Sequence, residues 1–182
     1  MRDSTTILET PRLTLRRFTL EDAPFVFELV NDPAWIEHIG DRNVRSLDDA
    51  RGYIQKTLNM YERVGFGLYV VTVNETGEPV GTCGLIRRDG LNDPDIGFAF
   101  LPRGRGQGYA LESAAAVLAY GRDTLGMKRI VAIVSAANPR SIRILEAIGL
   151  TYEGLVSLPG DVEPVPLYAS ETAGSSRRIP DP

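Results

Sequence analysis

The residues from Asp95 to Ala110 have the types and spacing of an anion-binding loop. Alternating apolar residues predict a strand that ends before Pro102, because proline cannot donate to a sheet ladder; they are Ile96, Phe98 and Phe100. The loop that follows carries Arg103, Gly104, Arg105, Gly106 and Gly108. Good helix formers from Leu111 to Tyr120 then predict a helix. A strand, a glycine loop and a helix in this order direct unpaired N–H groups and a positive helix dipole at an anion such as phosphate.

Three known kinds of phosphate loop can be compared with these glycines. A P-loop requires a Lys-Ser/Thr pair after its last glycine, and none follows here. A dinucleotide fingerprint requires Gly-x-Gly-x-x-Gly near the start of a βαβ unit, whereas this loop has a different last spacing and lies in mid-chain. The third pattern, Arg-x-x-Gly-x-Gly, is met by Arg103, Gly106 and Gly108. The spacing therefore favours the third kind of loop.

Length and composition predict one globular domain. The chain has 182 residues, of which 43% are hydrophobic and 24% charged, and we assign residues 1–172 to the domain and residues 173–182 to a disordered polar tail. A net charge of −4 argues against general nucleic-acid binding. The chain has one cysteine, Cys83, and one histidine, His38, which argue against a disulfide, a metal site and a Ser-His-Asp triad.

No apolar run approaches the roughly 20 residues of a membrane helix, and the first residues lack the apolar core of a signal peptide. Together with the single cysteine, this predicts a cytoplasmic protein without a membrane partner.

Periodicity and capping residues predict the elements that must position this loop. We expect strands at 10–18, 66–73, 80–86, 130–134, 151–158 and 165–170, and helices at 19–30, from Ser46 to 61 or 63, and at 138–149. The β-branched run 130–134 indicates a strand covered on both faces, in the middle of the sheet. Segment 31–46 has no predicted element before Ser46 and leaves His38 in a loop. The result is a mixed α/β domain.

Several segments resemble the GNAT acetyltransferases, and in particular their RimJ/RimL branch of ribosomal-protein N-acetyltransferases. The similar segments are Thr10–Arg16, Gly81–Leu85, Asp95–Phe98, Gly106–Glu112, Asn138–Ser141 and Leu145–Leu150. They occur in the order of the family and cover roughly residues 8 to 170. The resemblance implies the GNAT fold, of the α+β type, with a mixed, mostly antiparallel twisted sheet of about seven strands flanked by about four helices.

The resemblance also implies a reaction and a cofactor site. The acetyl group of acetyl-CoA would pass directly to a primary amine in a ternary complex, with positioning and electrostatics supplying most of the acceleration. The pyrophosphate would bind the loop residues Arg103, Gly104, Arg105, Gly106, Gln107, Gly108 and Tyr109. A bulge near Phe98, Phe100 and Leu101 would bind the pantetheine arm and direct one amide at the thioester oxygen. Asn138 would both cap its helix and bind that arm.

Two residues are candidates for proton transfer. Asp95 lies where this branch often has an acid and could accept the proton of the amine, although a solvated acid at a strand end explains it equally well. Ser141 lies where the family places a serine near the cofactor sulfur, and a serine in a first helical turn is also common without function. The family's tyrosine acid, seven residues after Asn138, is replaced by Leu145. Glu112 is interpreted as a favourable charge at a helix N-terminus.

The sequence leaves the acceptor open. The branch suggests a protein N-terminal amine; the alternatives are a small amine or amino-acid-like acceptor, or a non-catalytic acyl-CoA-binding module. The acceptor site would be formed by segments 31–46, 87–94 and 158–166, and a homodimer is left open. Cys83 lies in an apolar strand with no nearby Lys or His, which predicts a buried structural thiol rather than an acyl carrier.

Overall fold

A computed structural model describes residues 5–160 and 163–170, so the predicted tail at 173–182 lies outside the described residues. The described residues form one eight-stranded sheet. Its strands are β1 (Thr6–Glu9), β2 (Leu13–Arg16), β3 (Leu68–Val73), β4 (Pro79–Ile86), β5 (Asp95–Phe100), β6 (Val131–Ile133), β7 (Leu150–Val156) and β8 (Val165–Ser170). They lie in the order β1-β2-β3-β4-β5-β6-β8-β7, antiparallel except for the β5–β6 pair.

Within the described ranges five helices flank the sheet: α1 (Ala23–Val30), α2 (Pro33–His38), α3 (Leu47–Val64), α4 (Tyr109–Asp123) and α5 (Pro139–Ala147). The predicted α/β class with a mixed sheet is confirmed, with one strand and one helix more than expected. Ser46 caps α3 through the Asp49 N–H, and Gly65 ends it in the left-handed conformation with φ +84°. None of the helices in the described ranges is long and apolar enough to span a bilayer.

Two local predictions were wrong. The strand expected at 10–18 is the shorter β2, and residues 10–12 form the turn that joins it to an additional strand, β1. The Thr10 hydroxyl closes this turn by accepting from the Leu13 N–H (3.0 Å), and the Thr10 N–H donates to the Leu13 carbonyl (2.8 Å). The segment after α1, interpreted as a loop, contains helix α2. Asp32 caps it by accepting from the Ala34 N–H, and Pro33 occupies its first position. His38 is therefore the last residue of a short helix rather than a loop residue.

The middle of the sheet opens between its two parallel strands. β6 lies between β5 and β8, as its β-branched sequence predicts, and Val131 is 2% exposed. β5 and β6 form only one residue pair, Asp95 with Val131, whereas β6 continues along β8. β5 and β6 therefore separate beyond Asp95. The turn and glycine loop after β5 lead into α4, which packs on β4 and β5.

Candidate active site

The backbone of β5 faces the opening between β5 and β6. The Leu101 N–H donates to the Val80 carbonyl in the direction of β4 (2.9 Å), whereas the Pro94 carbonyl accepts from Val131 in the direction of β6 (2.9 Å). Backbone groups alternate in direction along a strand, so those of Phe98 point toward β6. Because β6 has already diverged, the Phe98 N–H and C=O have no strand partner on that side among the described residues.

The bulge expected near Phe98 to Leu101 is not present within β5. The register with β4 runs without a shift from Asp95, opposite Ile86, to Phe100, opposite Gly81. The free edge of β5 arises from the divergence of β6 instead. The sequence does not distinguish a bulge in β5 from a divergence of β6, because the divergence depends on pairing between strands that are distant in the chain.

The glycine loop lies at the N-terminus of α4 and is open to solvent. A short 3-10 turn, Pro102–Gly104, follows β5, and Gly108 is the N-cap of α4. Gly106 and Gly108 have φ of +72° and +79°, a region that side chains with a Cβ rarely adopt. A Cβ on Gly106 would meet no atom within 4 Å. The exposed loop therefore has room for an anion at the unpaired N–H groups of the first turn of α4.

The two loop arginines contact acids of other elements. Arg103 binds Glu28 (2.6 Å) and Glu78 (2.9 Å) and donates to a backbone carbonyl at the start of β4. Arg105 pairs with Asp32, the N-cap of α2, and donates through Nε to the last carbonyl of β5 (2.8 Å). In this structure both guanidinium groups brace the turn against α1, α2 and β4.

A cation from outside the glycine loop, Arg12, contacts the loop backbone, and it was not among the predicted site residues. Its Nη1 donates to the Gln107 carbonyl (2.9 Å), and its guanidinium carbon lies 4.9 Å from the centre of the Tyr109 ring. Glu112 in the first turn of α4 accepts from Arg12 Nε (2.7 Å) and from the Thr10 hydroxyl (2.6 Å). Arg12 belongs to the segment that resembles the family's opening strand, but a contact across about a hundred residues leaves no local sequence signal.

Asp95 is buried beside the opening. Its side chain is 2% exposed, and Oδ2 accepts from Arg88 Nε at 3.1 Å. Its Oδ1 is buried without a hydrogen-bond partner among the described residues. Burial raises the pKa of Asp95, and the nearby Arg88 guanidinium only partly opposes this effect. A carboxyl group with a raised pKa and one free oxygen has the properties required of a general base.

The residues at the start of α5 agree with the predicted cap. Asn138 Oδ1 accepts from the Ser141 N–H (3.1 Å), so Nδ2 is left for another partner. Leu145, at the family's tyrosine position, is 2% exposed and belongs to the core. Tyr109 contacts Arg12, and Tyr152 is 56% exposed on β7.

Cys83 has the properties of a core residue. It is fully buried in β4, and burial raises the pKa of its thiol to about 12, only partly opposed by a hydrogen bond with Ser113. A neutral, inaccessible thiol is a poor nucleophile.

We therefore expect Cys83→Ala to retain acetyl transfer, with kcat/KM within about twofold of the wild type, because no acyl group passes through the thiol. The native wild-type protein should also resist a thiol-specific reagent that reacts fully after unfolding. Loss of turnover in a folded Cys83→Ala protein, or a stoichiometric acetyl-cysteine, would contradict direct transfer.

Two of the three expected acceptor segments meet beside Asp95. A Cβ on Gly90 would lie 2.6 Å from Pro159, so segments 87–94 and 158–166 are in contact. Arg88, on the first of them, donates only through Nε, which leaves its Nη groups available among the described residues. The partly buried Tyr53 phenol of α3 lies within electrostatic reach of Arg88 and of Arg42 from segment 31–46.

The comparisons with known proteins agree with this arrangement. The family model described as Acetyltransferase (GNAT) domain matches residues 12–151. The chain is 31% identical over 150 residues to "Uncharacterized N-acetyltransferase p20" of Bacillus licheniformis, covering 82% of this chain and 84% of that one. The acetyltransferase of Agrobacterium tumefaciens str. C58 is 27% identical, with a TM-score of 0.78 over 94% of this chain and 98% of that one.

The chain therefore belongs to the GNAT family of acetyltransferases, enzymes that use acetyl-CoA. Its fold is also similar to "RimL- Ribosomal L7/L12 alpha-N-protein acetyltransferase in complex with Coenzyme A". That structure has 22% identity and a TM-score of 0.78 over 92% of this chain and 98% of that one. At this identity the similarity establishes the fold, while the RimJ/RimL branch is not established.

Proposed function

We propose that the protein transfers the acetyl group of acetyl-CoA to a primary amine by direct transfer in a ternary complex in the cytoplasm. The observation that carries this proposal is the combination of the exposed glycine loop at α4 with the unpaired edge of β5. The two features bind different parts of one ligand, because a loop of amides suits a pyrophosphate and a strand edge suits the amides of a pantetheine arm.

Each residue of the candidate site has a role in this proposal. The amides from Gly106 to Tyr109 bind the pyrophosphate, because those of Gly104 and Arg105 already donate within the 3-10 turn. The Arg103 and Arg105 side chains hold the loop in place. The backbone from Phe98 to Leu101 lies along the pantetheine arm, together with the Asn138 side chain.

One backbone group and two side chains take part in the reaction itself. The Phe98 N–H donates a hydrogen bond to the thioester oxygen as negative charge develops there. Asp95 accepts the proton of the amine, either directly or through a water molecule. Ser141, in the first turn of α5, supplies or relays the proton to the departing thiolate, since Leu145 cannot.

An assay of coenzyme A release tests the activity. Acetyl-CoA is incubated with a panel of small amines, amino acids and peptides with free N-termini, and the released thiol is measured against samples without acceptor. We expect release that depends on the acceptor. Tight binding of acetyl-CoA without such release across a broad panel would instead support the non-catalytic acyl-CoA-binding module.

For the acceptor, we propose a protein N-terminal amine as one candidate, because the fold of the ribosomal-protein acetyltransferase named above is shared over nearly the whole chain. A second candidate is an amino-acid-like amine, which the free Nη groups of Arg88 favour. Asp95 and Arg88 together would bind an amine and a nearby carboxylate of one small molecule.

We expect Arg88→Gln to raise KM about tenfold or more for an acceptor that carries a carboxylate, because a charge-assisted hydrogen bond is lost. The matched amine without the carboxylate should change much less. The measurement compares steady-state KM values for an amino acid and its decarboxylated analogue. An equal rise for both acceptors would mean that Arg88 acts only through Asp95 and would remove the support for this acceptor class.

A further inference from the structure

We propose that Arg12 is the positioning residue of the cofactor loop. It fixes the peptide between Gln107 and Gly108 so that the Gly108 N–H faces the bound pyrophosphate. This inference rests on the proposed acetyl-CoA site. It assigns a role to a residue of the β1–β2 turn, remote in sequence from the loop.

The orientation of one peptide carries the argument. Arg12 Nη1 holds the Gln107 carbonyl at 2.9 Å, and the chain has no cis peptide bonds in its described parts. In a trans peptide the C=O and the following N–H point in opposite directions, so the Gly108 N–H points away from Arg12. A flip of this peptide rotates ψ of Gln107 and φ of Gly108, and Gly108 lies in the left-handed region. A glycine permits both signs of φ, so the peptide is free to flip, and a flip would direct a carbonyl dipole at the anion instead of an N–H.

Arg12 is itself held rigidly enough to act as this constraint. Its Nε and Nη2 both lie 2.7 Å from Glu112 Oε2, and its backbone N–H donates to Glu112 Oε1 at 3.0 Å. All three nitrogens of the guanidinium therefore bind either α4 or the loop. The Tyr109 ring packs against the same group. A lysine offers one charged centre without this planar fork and cannot make the three contacts together.

The fork geometry leads to a specific experiment. Arg12→Gln and Arg12→Lys are compared with the wild type for coenzyme A affinity by titration calorimetry and for steady-state kinetics. We expect both variants to weaken the dissociation constant and raise KM for acetyl-CoA on the order of 10- to 100-fold, the effect of one hydrogen bond to a charged group. At saturating acetyl-CoA, kcat should stay within about threefold, since the thioester site on β5 is untouched.

The matched control is Arg122→Gln, which removes an exposed arginine at the opposite end of α4 and should leave the affinity unchanged. A second test uses Glu112→Gln, which weakens the anchor of Arg12. Because both substitutions release the same constraint, the losses of affinity should not add in the double variant.

Three results would overturn the inference. Full affinity in Arg12→Lys would mean that charge alone matters and not the fork. Unchanged affinity in Arg12→Gln would mean that the peptide needs no support. A fall in kcat as large as the loss of affinity, with a lowered thermal midpoint, would indicate general damage. By contrast, a wild-type protein that binds no coenzyme A would refute the proposed function itself.

Discussion

Replacing Gly106 with glutamate is expected to weaken coenzyme A binding about 100-fold or more, because it adds a negative charge where the pyrophosphate would bind. At an effective dielectric constant of about 20, which applies near a protein surface, two like unit charges about 4–8 Å apart repel by about 2–4 kcal/mol. The loop is exposed and a Cβ at Gly106 meets no neighbour, so steric damage to the core is not the cause of the expected loss. Calorimetric titration with coenzyme A measures the effect.

The matched control for this variant is Gly126→Glu. Gly126 has φ +68°, close to the +72° of Gly106, and a Cβ there also meets nothing within 4 Å. Both substitutions therefore carry the same backbone strain and the same charge, but Gly126 lies beyond the C-terminus of α4. We expect similar losses of stability and a loss of affinity only in Gly106→Glu. Equal affinities in the two variants would rule out the loop as the pyrophosphate site.

Local sequence signals were sufficient for most of the fold. The helix α3 was predicted from its Ser46 cap and its glycine stop, and α5 from Asn138, because caps act within three or four residues. Helix α2 was missed because the same Asp32 and Pro33 that end one helix also begin the next. The strand at 10–18 was predicted too long because its turn is closed by a side-chain hydrogen bond of Thr10 that periodicity does not reveal.

The site was predictable only where it depends on local conformation. The positive φ angles of Gly106 and Gly108 follow from the glycines themselves. The contacts of Arg12, Arg103 and Arg105 do not, since each joins segments far apart in the chain. The spacing suggested two cations for the anion, whereas the fold pairs all three arginines with acids and brings Arg12 into contact with the loop backbone. Burial of Asp95 likewise depends on the packing of several elements.

Replacing Asp95 with asparagine is expected to lower kcat by about 100- to 10,000-fold, the usual contribution of a general base. The amide is nearly isosteric, and the cofactor loop lies at the other end of β5, so the affinity for acetyl-CoA should be retained. The decisive measurement is therefore kcat at saturating substrates together with a calorimetric titration of coenzyme A. A variant with wild-type kcat would show that Asp95 is not the base.

The control for Asp95→Asn is Asp22→Asn, a second buried carboxylate paired with an arginine. Burial alone would raise the pKa of Asp22, but hydrogen bonds from Arg16 and Thr19 outweigh it and hold the pKa below its ordinary value. A lowered folded pKa stabilises the protein above the unfolded pKa, and this contribution is lost as pH falls through the folded pKa. The Asp22→Asn variant should therefore be less stable than the wild type at neutral pH but retain the wild-type kcat.

For Asp95 the pH dependence of the contribution to stability has the opposite sign, so effects on catalysis and on stability can be distinguished. Its raised pKa means that the native state holds this proton more tightly than the unfolded chain, so its contribution to stability is largest below the unfolded pKa and falls as pH rises through the folded pKa. Asparagine does not titrate, so the variant avoids this loss of stability, and its thermal midpoint at neutral pH should not fall below that of the wild type. The base works only when deprotonated, so wild-type kcat at saturating substrates, which does not report the ionisation of the free amine, should fall as pH drops through the raised pKa, above the range of about 4 for an ordinary aspartate. The residual activity of Asp95→Asn should lack this acidic limb, and a limb that persists unchanged would assign the base to another group.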